Sequence, residues 1–196
     1  MNIKRYIATI ILAIVLLLNF SCTDWLDVKP VDRMSEDQLY STEAGFRQAL
    51  NGIYVELNHA DLYGDELLVN TVEILAQRYK FSSMGTLTNQ YHLAEFDYTT
   101  DYAKKCGSRI WEKAYALIAN VNKLLKNADS HKDLFTGNSY DLITGEAYAL
   151  RAFLHFDLLR LFGPVYKTHK EDKSICYNTQ FSLSGSDLLP ASKVME

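Results

Sequence analysis

The chain has 196 residues, of which 48% are apolar and 12% aromatic, so it can bury a core and is not disordered. Its formal net charge of −4 excludes nucleic acid as the main partner, because phosphate binding requires a basic surface. Lysines and arginines occur only singly or in pairs such as Lys104-Lys105, which agrees with that exclusion.

The N terminus predicts an exported chain. Lys4 and Arg5 form the positive start of a signal peptide, and an apolar run follows from Ile7 to Leu18. That run is shorter than the roughly 20 residues that a membrane-spanning helix needs. Residues 1–21 are therefore predicted to be a signal peptide and not part of the fold.

A cysteine directly after the signal peptide predicts lipoprotein processing, with Cys22 as the lipidated N terminus. The alternative is ordinary secretion with an incidental cysteine, because the bulky Phe20 departs from the usual small-residue processing site. Residues 22–34 are then a tether between lipid and domain, and residues 35–196 form one helical domain.

The domain begins with a complete helix start, in which Ser35 is the N-cap, Gln38 the N3 residue, and Met34 and Leu39 a hydrophobic staple. Apolar residues at helical spacing predict the helices that follow. These are Thr42–Leu57, Leu67–Tyr79, Ser108–Ala128 and a long helix that includes Gly145–Val165. No β-hairpin signal competes with them, so the domain is predicted to be all-α.

The last long helix carries two apolar rows. The first row consists of Ile143, Ala147, Leu150, Leu154, Leu158 and Leu161. The second consists of Ala149, Ala152, Phe153 and Phe156. Such a wide apolar surface predicts a helix packed on two sides. Gly163 is predicted to be the C′ residue, and Pro164 prevents the helix from continuing.

The segment of residues 79–102, here called the tyrosine-rich segment, is poor in periodicity and rich in Ser, Thr, Asn and aromatic residues. A loop of this length inside a domain is uncommon unless it has a task. Aromatic faces beside amide and imidazole groups suit carbohydrate binding. The candidate ligand-binding residues are Tyr79, Phe81, Asn89, Gln90, Tyr91, His92 and Tyr98.

Two helix motifs resemble the SusD/RagB family of outer-membrane lipoproteins. The first consists of Trp111, Tyr115, Ile118 and Asn122. The second consists of Gly145, Glu146, Ala147, Leu150, Arg151, Ala152, Phe156, Leu158, Phe162 and Gly163. The start CTDWLDVKP, the ALNGIY of the first long helix and the end LLPASKVME also fit this family.

The resemblance implies a fold of tetratricopeptide-like antiparallel helix pairs, for which Ala152 and Phe156 supply the A-x3-F spacing. It implies a lipid-anchored protein on the cell surface of the outer membrane. Such a protein binds an oligosaccharide or other nutrient for a SusC-like TonB-dependent transporter. Family members are more than twice as long, and Ser192 as an N-cap leaves only four helical residues, so this chain is expected to be incomplete at its C terminus.

Most polar and aromatic motif residues are predicted to be structural. Trp111 and Tyr115 are expected to form core and inter-helix contacts, and Asn122 a buried hydrogen-bonding group. Arg151 and His155 share a side of their helix, where they form either a polar site or contacts between helices. Contacts between helices are the preferred interpretation.

Catalysis is not predicted. The five histidines lack metal-binding spacing, and the sequence has no nucleophile elbow or phosphate-binding glycine loop. We therefore expect no catalytic residues, metal or cofactor. The nearer alternative function is a tetratricopeptide-like protein–protein adaptor of the outer membrane, and the distant one is a glycoside hydrolase. Cys106 and Cys176 either pair or remain free thiols.

Overall fold

The computed structural model describes residues 34–82, 85–182 and 185–196, and the predictions about residues 1–33, including the signal peptide and Cys22, lie outside these ranges. All elements below belong to one compact unit, Glu36–Glu196. They are α1 (Glu36–Leu39), α2 (Glu43–Leu57), α3 (Thr71–Leu75), α4 (Thr88–Ala94), α5 (Asp101–Ser130), α6 (Ser139–Phe162), α7 (Tyr166–His169), β1 (Lys173–Cys176), β2 (Leu188–Pro190) and α8 (Ala191–Val194). Helices dominate, which confirms the predicted fold class.

Helices α5 and α6 form an antiparallel pair. Near one end of the pair the rings of Trp111 and Phe162 meet edge to face at 5.1 Å. Near the other end the Tyr140 hydroxyl donates to Asp129 at 2.6 Å. Helix α2 packs against both long helices, so the main core lies where the three meet. Its most buried large side chains include Phe46, Ile110, Ile118, Leu124, Ile143 and Leu154.

The two apolar rows of α6 differ in burial. The first row is buried apart from Leu161, as predicted. The second row is exposed: Phe153 and Phe156 are each 46% accessible to solvent. The prediction of packing on two sides is therefore wrong for the described residues. Helix α6 contacts α2, α5 and β1, yet the second row stays exposed even where the Phe153 ring stacks on that of Tyr63 at 5.1 Å. The A-x3-F pair lies on the open side, so the tetratricopeptide detail stays a prediction.

The polar motif residues support the chain that follows β1. Asn122 is buried as predicted, donates to the Asn178 carbonyl at 2.9 Å and accepts from Arg151 at 2.9 Å. Arg151 also donates to the Thr179 carbonyl at 2.8 Å. The Asn178 N–H donates to Nε2 of His155 at 3.1 Å, so Nδ1 carries the proton and donates to the Arg151 carbonyl at 2.9 Å. These residues join α5, α6 and the segment after β1, which confirms the structural reading.

Trp111 and Tyr115 also have the structural role predicted for them. Their rings lie 4.8 Å apart and pack against the main core. The Tyr115 hydroxyl donates to the Cys176 carbonyl at 2.7 Å, which ties α5 to β1. Cys106 and Cys176 are free thiols, so of the two alternatives for this pair the structure has the unpaired one.

One helix prediction and one loop prediction before α5 are wrong. The predicted helix Leu67–Tyr79 shrinks to α3, because residues 59–70 form turns in which Leu67 N–H donates to the Leu62 carbonyl. The tyrosine-rich segment, predicted to be irregular, contains α4. Helix α4 has only seven residues, so tertiary burial and not local periodicity stabilises it.

Helix α5 begins seven residues before the predicted Ser108. The Thr100 hydroxyl accepts the Ala103 N–H at 3.3 Å and caps the helix. Ala103 and Cys106 are buried on one side of the first two turns. The two lysines between them interrupt the apolar spacing, so the sequence does not predict a helix there. The helix therefore reaches into the tyrosine-rich segment.

The end of α6 differs from the predicted left-handed C′ glycine. Gly163 has φ −81° and ψ 165°, an extended conformation. The following Pro164 favours that conformation in the residue before it. Glycine is still required, because a Cβ would lie 2.4 Å from the Leu159 carbonyl oxygen, to which the Gly163 N–H donates at 2.8 Å.

The C-terminal region contains a small sheet that the sequence analysis missed. Strand β1 pairs antiparallel with β2, and residues 177–187 connect them. A connection of this length lacks the two-residue turn that marks a hairpin. Ser192 is not the predicted N-cap: it lies inside α8, which follows Pro190, and its hydroxyl donates to Glu171 at 3.1 Å.

Candidate ligand-binding surface

The chain between α2 and α5 has a small core of its own. Its buried members are Ile74, Leu93, Ala94 and Ala103, and Leu75, Phe81 and Tyr102 pack around them. Ala103 and Tyr102 belong to α5, so this second core attaches the tyrosine-rich segment to the start of a long helix. The segment is thus held in place by burial and is not a free loop.

A buried carboxylate strengthens this attachment. Glu66 is only 1% exposed, accepts from the Thr71 hydroxyl at 2.5 Å, and forms an ion pair with Arg109 of α5. Arg109 also pairs with Asp61 at 3.4 Å. Burial, and secondarily Cys106, raises the pKa of the neighbouring Tyr102 to about 12. A buried charge needs such partners, so these contacts hold the chain up to the start of α3 against α5.

Two residues of the chain between α2 and α5 have left-handed backbone conformations. Gln77 and Phe96 have φ values of 60° and 59°, which are uncommon for residues other than glycine. The Gln77 amide donates to the Ala94 carbonyl at 2.6 Å, which ties this turn to the end of α4. Phe96 is 52% exposed despite its size. Backbone strain that presents an aromatic ring to solvent is typical of functional surfaces.

The predicted residues Tyr79, Phe81 and Tyr98 have different surroundings. Tyr98 is 58% exposed, and its backbone N–H donates to the Phe96 carbonyl at 3.1 Å. The Tyr79 ring is exposed, but its hydroxyl donates to the Val69 carbonyl at 3.0 Å. Its ring meets that of Phe81 at 5.9 Å, and Phe81 packs on the second core. Tyr98 is therefore the most accessible of the three.

The other four predicted residues, Asn89, Gln90, Tyr91 and His92, all lie on α4. Consecutive helical residues point in directions about 100° apart, so the four cannot contact one ligand together. Asn89 and His92 are three positions apart and share a side. His92 lies 3.6 Å from the Asp97 carboxylate, which brings that side close to the Phe96–Tyr98 stretch.

Phe96 is a surface aromatic that the sequence analysis missed. The sequence feature that could have indicated its exposure is the stretch EFDY, in which this aromatic residue stands between two acidic neighbours. The exposed rings of Phe96 and Tyr98, with Asp97 between them, offer apolar faces beside a hydrogen-bond acceptor. The His92 imidazole adds a group that donates or accepts. This combination suits a ligand with both C–H faces and hydroxyl groups.

A half-open groove of about 540 Å³ lies beside this surface, between α5, the end of α6 and the segment before α5. Its volume lies within the usual range for small-molecule sites. Its apolar lining includes Leu75, Leu93, Ile110, Trp111, Leu161 and Phe162, and its exposed polar lining Tyr98, Lys104, Ser108 and Glu112. Trp111 thus has a face on a cavity as well as its structural contacts.

The residue patterns and this surface agree with a match to a family model described as SusD-like, starch-binding and associating with the outer membrane. The match covers residues 24–184. This chain belongs to the SusD-like family. The family description is one of binding and not of catalysis, in agreement with the lack of enzyme motifs in the sequence.

Two curated SusD-like relatives come from Formosa agariphila. The SusD-like protein P2 is 28% identical over 162 residues, which is 83% of this chain and 30% of the relative. The SusD-like protein P25 is 26% identical over 148 residues, 74% of this chain and 28% of the relative. This chain therefore spans under a third of the length of both relatives. No solved structure matches the chain at a significant level.

The family description associates SusD-like proteins with the outer membrane. Among the described residues, no helix is both long enough and apolar enough to cross a bilayer. The same residues contain no group of three or more His, Cys, Asp or Glu side chains placed to hold a metal ion.

Proposed function

We propose that this SusD-like chain belongs to a glycan-binding lipoprotein of the cell surface, which delivers its ligand to a SusC-type TonB-dependent transporter in the outer membrane. The observation that carries the proposal is the exposed Phe96–Tyr98 stretch, held by a strained backbone within the region matched by the family model. An oligosaccharide is the favoured ligand, and another nutrient is the alternative.

The physical argument concerns the two faces of a sugar. The C–H face of a pyranose packs on an aromatic ring, and its hydroxyl groups exchange hydrogen bonds with carboxylate, amide or imidazole groups at the edge. Phe96 and Tyr98 supply the rings, and Asp97, His92 and Asn89 supply the polar groups. The second core and the Glu66–Arg109 pair keep these groups in place before the ligand arrives, which lowers the entropy lost on binding.

Glycan binding is tested by titrating the chain with a panel of oligosaccharides. Phe96→Ala and Tyr98→Ala should each weaken binding about tenfold, because each removes an aromatic contact. Tyr166→Ala is the matched control, since Tyr166 is a similarly exposed tyrosine outside the tyrosine-rich segment. Equal losses in all three variants, or shortening of the oligosaccharide during incubation, would contradict the proposal.

Lipid anchoring at Cys22 is the second part of the proposal. Two or three acyl chains on one cysteine bury enough methylene groups for stable membrane attachment. Cys22→Ala should move the protein from the membrane fraction to the soluble fraction, whereas Cys176→Ala, as a control, should leave it on the membrane. Equal membrane retention of both variants would count against an acyl anchor at Cys22.

A protein–protein adaptor is the second candidate function. The exposed row of Ala149, Ala152, Phe153 and Phe156 on α6 favours it, because contiguous exposed apolar residues often mark interfaces. Phe156→Glu should then abolish co-purification of a protein partner and leave oligosaccharide binding unchanged. Phe96→Ala should in turn weaken oligosaccharide binding and leave binding of the protein partner unchanged, so the two variants distinguish the two functions.

A further inference from the structure

The groove beside α5 has walls that suit hydrocarbon better than hydroxyl groups. Its buried polar side chains are few: the Thr71 hydroxyl is used by Glu66, and Cys106 offers only a thiol. A sugar inside the groove would lose water from hydroxyl groups that find no partner on the floor. A hydrocarbon chain instead gains stability with each methylene that it buries against Trp111 and Phe162.

The exposed edge of the groove carries opposite charges at separate positions along α5. Lys104 lies in the first turn, and Glu112 lies eight residues further on, about 12 Å along the helix axis. Neither forms an ion pair with another described residue. Asp97 lies near Lys104, but its carboxylate accepts hydrogen bonds from Thr99. The distances are 3.0 Å to the Thr99 N–H and 2.6 Å to its hydroxyl.

These charges give the groove a direction. A carboxylate can pair directly with Lys104 and is repelled at the Glu112 end. Asp97 and Asp101 also lie near Lys104, so the attraction comes from direct contact with the lysine and not from a net positive charge at this end. Gly107 lines the groove between the Lys104 and Glu112 ends and leaves room there for a methyl-sized group. A Cβ at this position would meet only the Phe162 ring, at an ordinary contact distance of 3.6 Å.

We infer that the groove binds an amphipathic anion of the medium-chain carboxylate class. The carboxylate lies at Lys104, and the hydrocarbon chain runs past Gly107 along Trp111 and Phe162. Its chemistry differs from that of the proposed sugar-binding surface at Phe96, although Tyr98 lies at the edge of both. The inference does not rest on sugar binding.

Intrinsic fluorescence provides the readout. The sequence contains two tryptophans, so in a Trp25→Phe background the emission comes from Trp111, which lines the groove. Titration with decanoate should give a saturable change in emission. Decanoate should bind on the order of tenfold more tightly than octanoate, because it buries two further methylenes.

Amino-acid substitutions distinguish the contribution of the Lys104 charge to decanoate binding from that of the apolar groove. Lys104→Gln should weaken decanoate binding about tenfold through loss of a charge-assisted hydrogen bond, and leave binding of the neutral decanol unchanged. The matched control Lys105→Gln removes a neighbouring exposed charge that does not line the groove and should change neither ligand. Gly107→Leu should fill the groove and abolish both, with its fold checked by thermal unfolding. If Gly107→Leu does not fold, the comparison of Lys104→Gln with Lys105→Gln decides the question.

Several results would overturn the inference. They are the absence of a saturable change, equal affinities for octanoate and decanoate, equal effects of the two lysine variants, or decanoate binding that survives in folded Gly107→Leu. Displacement of decanoate by maltoheptaose would assign the groove to a sugar, and a dimer that Gly107→Leu dissociates would assign it to a second copy of the chain. None of these results changes the test of the sugar surface, which is read through Phe96→Ala.

Discussion

At the scale of single residues, the polar side chains of the long helices act as supports for backbone that lies outside the helices. His155 illustrates this role: it is buried, its Nε2 accepts from Asn178, and its ring meets that of Tyr177 at 4.9 Å. Tyr115 of α5 approaches the same ring at 6.4 Å. The imidazole therefore links three parts of the chain, and its protonation state matters.

Burial lowers the pKa of His155 below its ordinary value of 6.5; the hydrogen bond to the Arg151 carbonyl opposes this effect, and the charge of Arg151 adds to it. The unfolded state consequently binds a proton at a higher pH than the folded state. The stability that neutral His155 contributes is complete above about pH 6.5 and is lost as pH falls below that value. We predict that the free energy of unfolding decreases from pH 7 to pH 5.

His155→Gln should reduce that slope, because the titrating group is removed while a hydrogen-bonding side chain remains. The measurement is urea unfolding at several pH values, and His169→Gln is the control at an exposed histidine. An unchanged slope in His155→Gln would assign the pH dependence to other groups.

At the scale of elements, the corners between helices depend on close backbone contacts. Gly45 lies in the first turn of α2, where a Cβ would be 1.7 Å from the Leu39 carbonyl oxygen at the end of α1. Glu43 also contributes to this region. Its carboxylate accepts from the N–H and hydroxyl of Thr136 at 2.9 and 2.8 Å, which lowers its pKa to about 2 and ties α2 to the link between α5 and α6.

Gly45 and Gly52 of α2 form a matched pair for mutagenesis. Gly45→Ala should lower the free energy of unfolding by about 1–3 kcal/mol, since the methyl group forces the α1–α2 corner apart. Gly52→Ala should raise it by about 0.5–1 kcal/mol, because no atom lies within 4 Å and alanine is the better helix former. Chemical denaturation measures both, and equal effects would show that the corner relaxes freely.

At the scale of the whole molecule, the described fold has two cores of unequal size. The larger one joins α2, α5 and α6, and the smaller one holds α3 and α4 against the start of α5. The Glu66–Arg109 pair connects the chain before α3 to that same part of α5. The surface proposed to bind ligand therefore depends on the smaller core, which buries less apolar surface.

Arg109→Gln should loosen the smaller core selectively, because it leaves the Glu66 carboxylate buried without its guanidinium partner. We expect a local loss of about 1–3 kcal/mol, reduced from that of a fully buried pair because Arg109 is half-exposed. Hydrogen exchange should accelerate in α3 and α4 and stay slow in the middle of α5 and α6. Adding Glu66→Gln should restore part of the protection, whereas uniform acceleration across all helices would contradict the two-core description.

Local sequence patterns are enough to predict the parts of this protein whose stability is local and repetitive. Apolar residues at helical spacing predicted α2, most of α5 and the buried row of α6, and the paired motifs predicted the family. Asn122 is predicted to be structural because buried polar groups need partners, and His155 is predicted to form contacts between helices. Their shared partner Asn178, in the chain after β1, is not predicted.

The remaining features depend on contacts between residues that are distant in sequence, and they are visible only in the folded chain. Helix α4, the β1–β2 pair and the burial of Glu66 rest on neighbours far away in the chain, which no local pattern reports. The same holds for the exposed row on α6, since periodicity shows that a face is apolar and not what covers it. The groove between Lys104 and Glu112 exists because α5, the end of α6 and the segment before α5 meet, so its chemistry could be read only after folding.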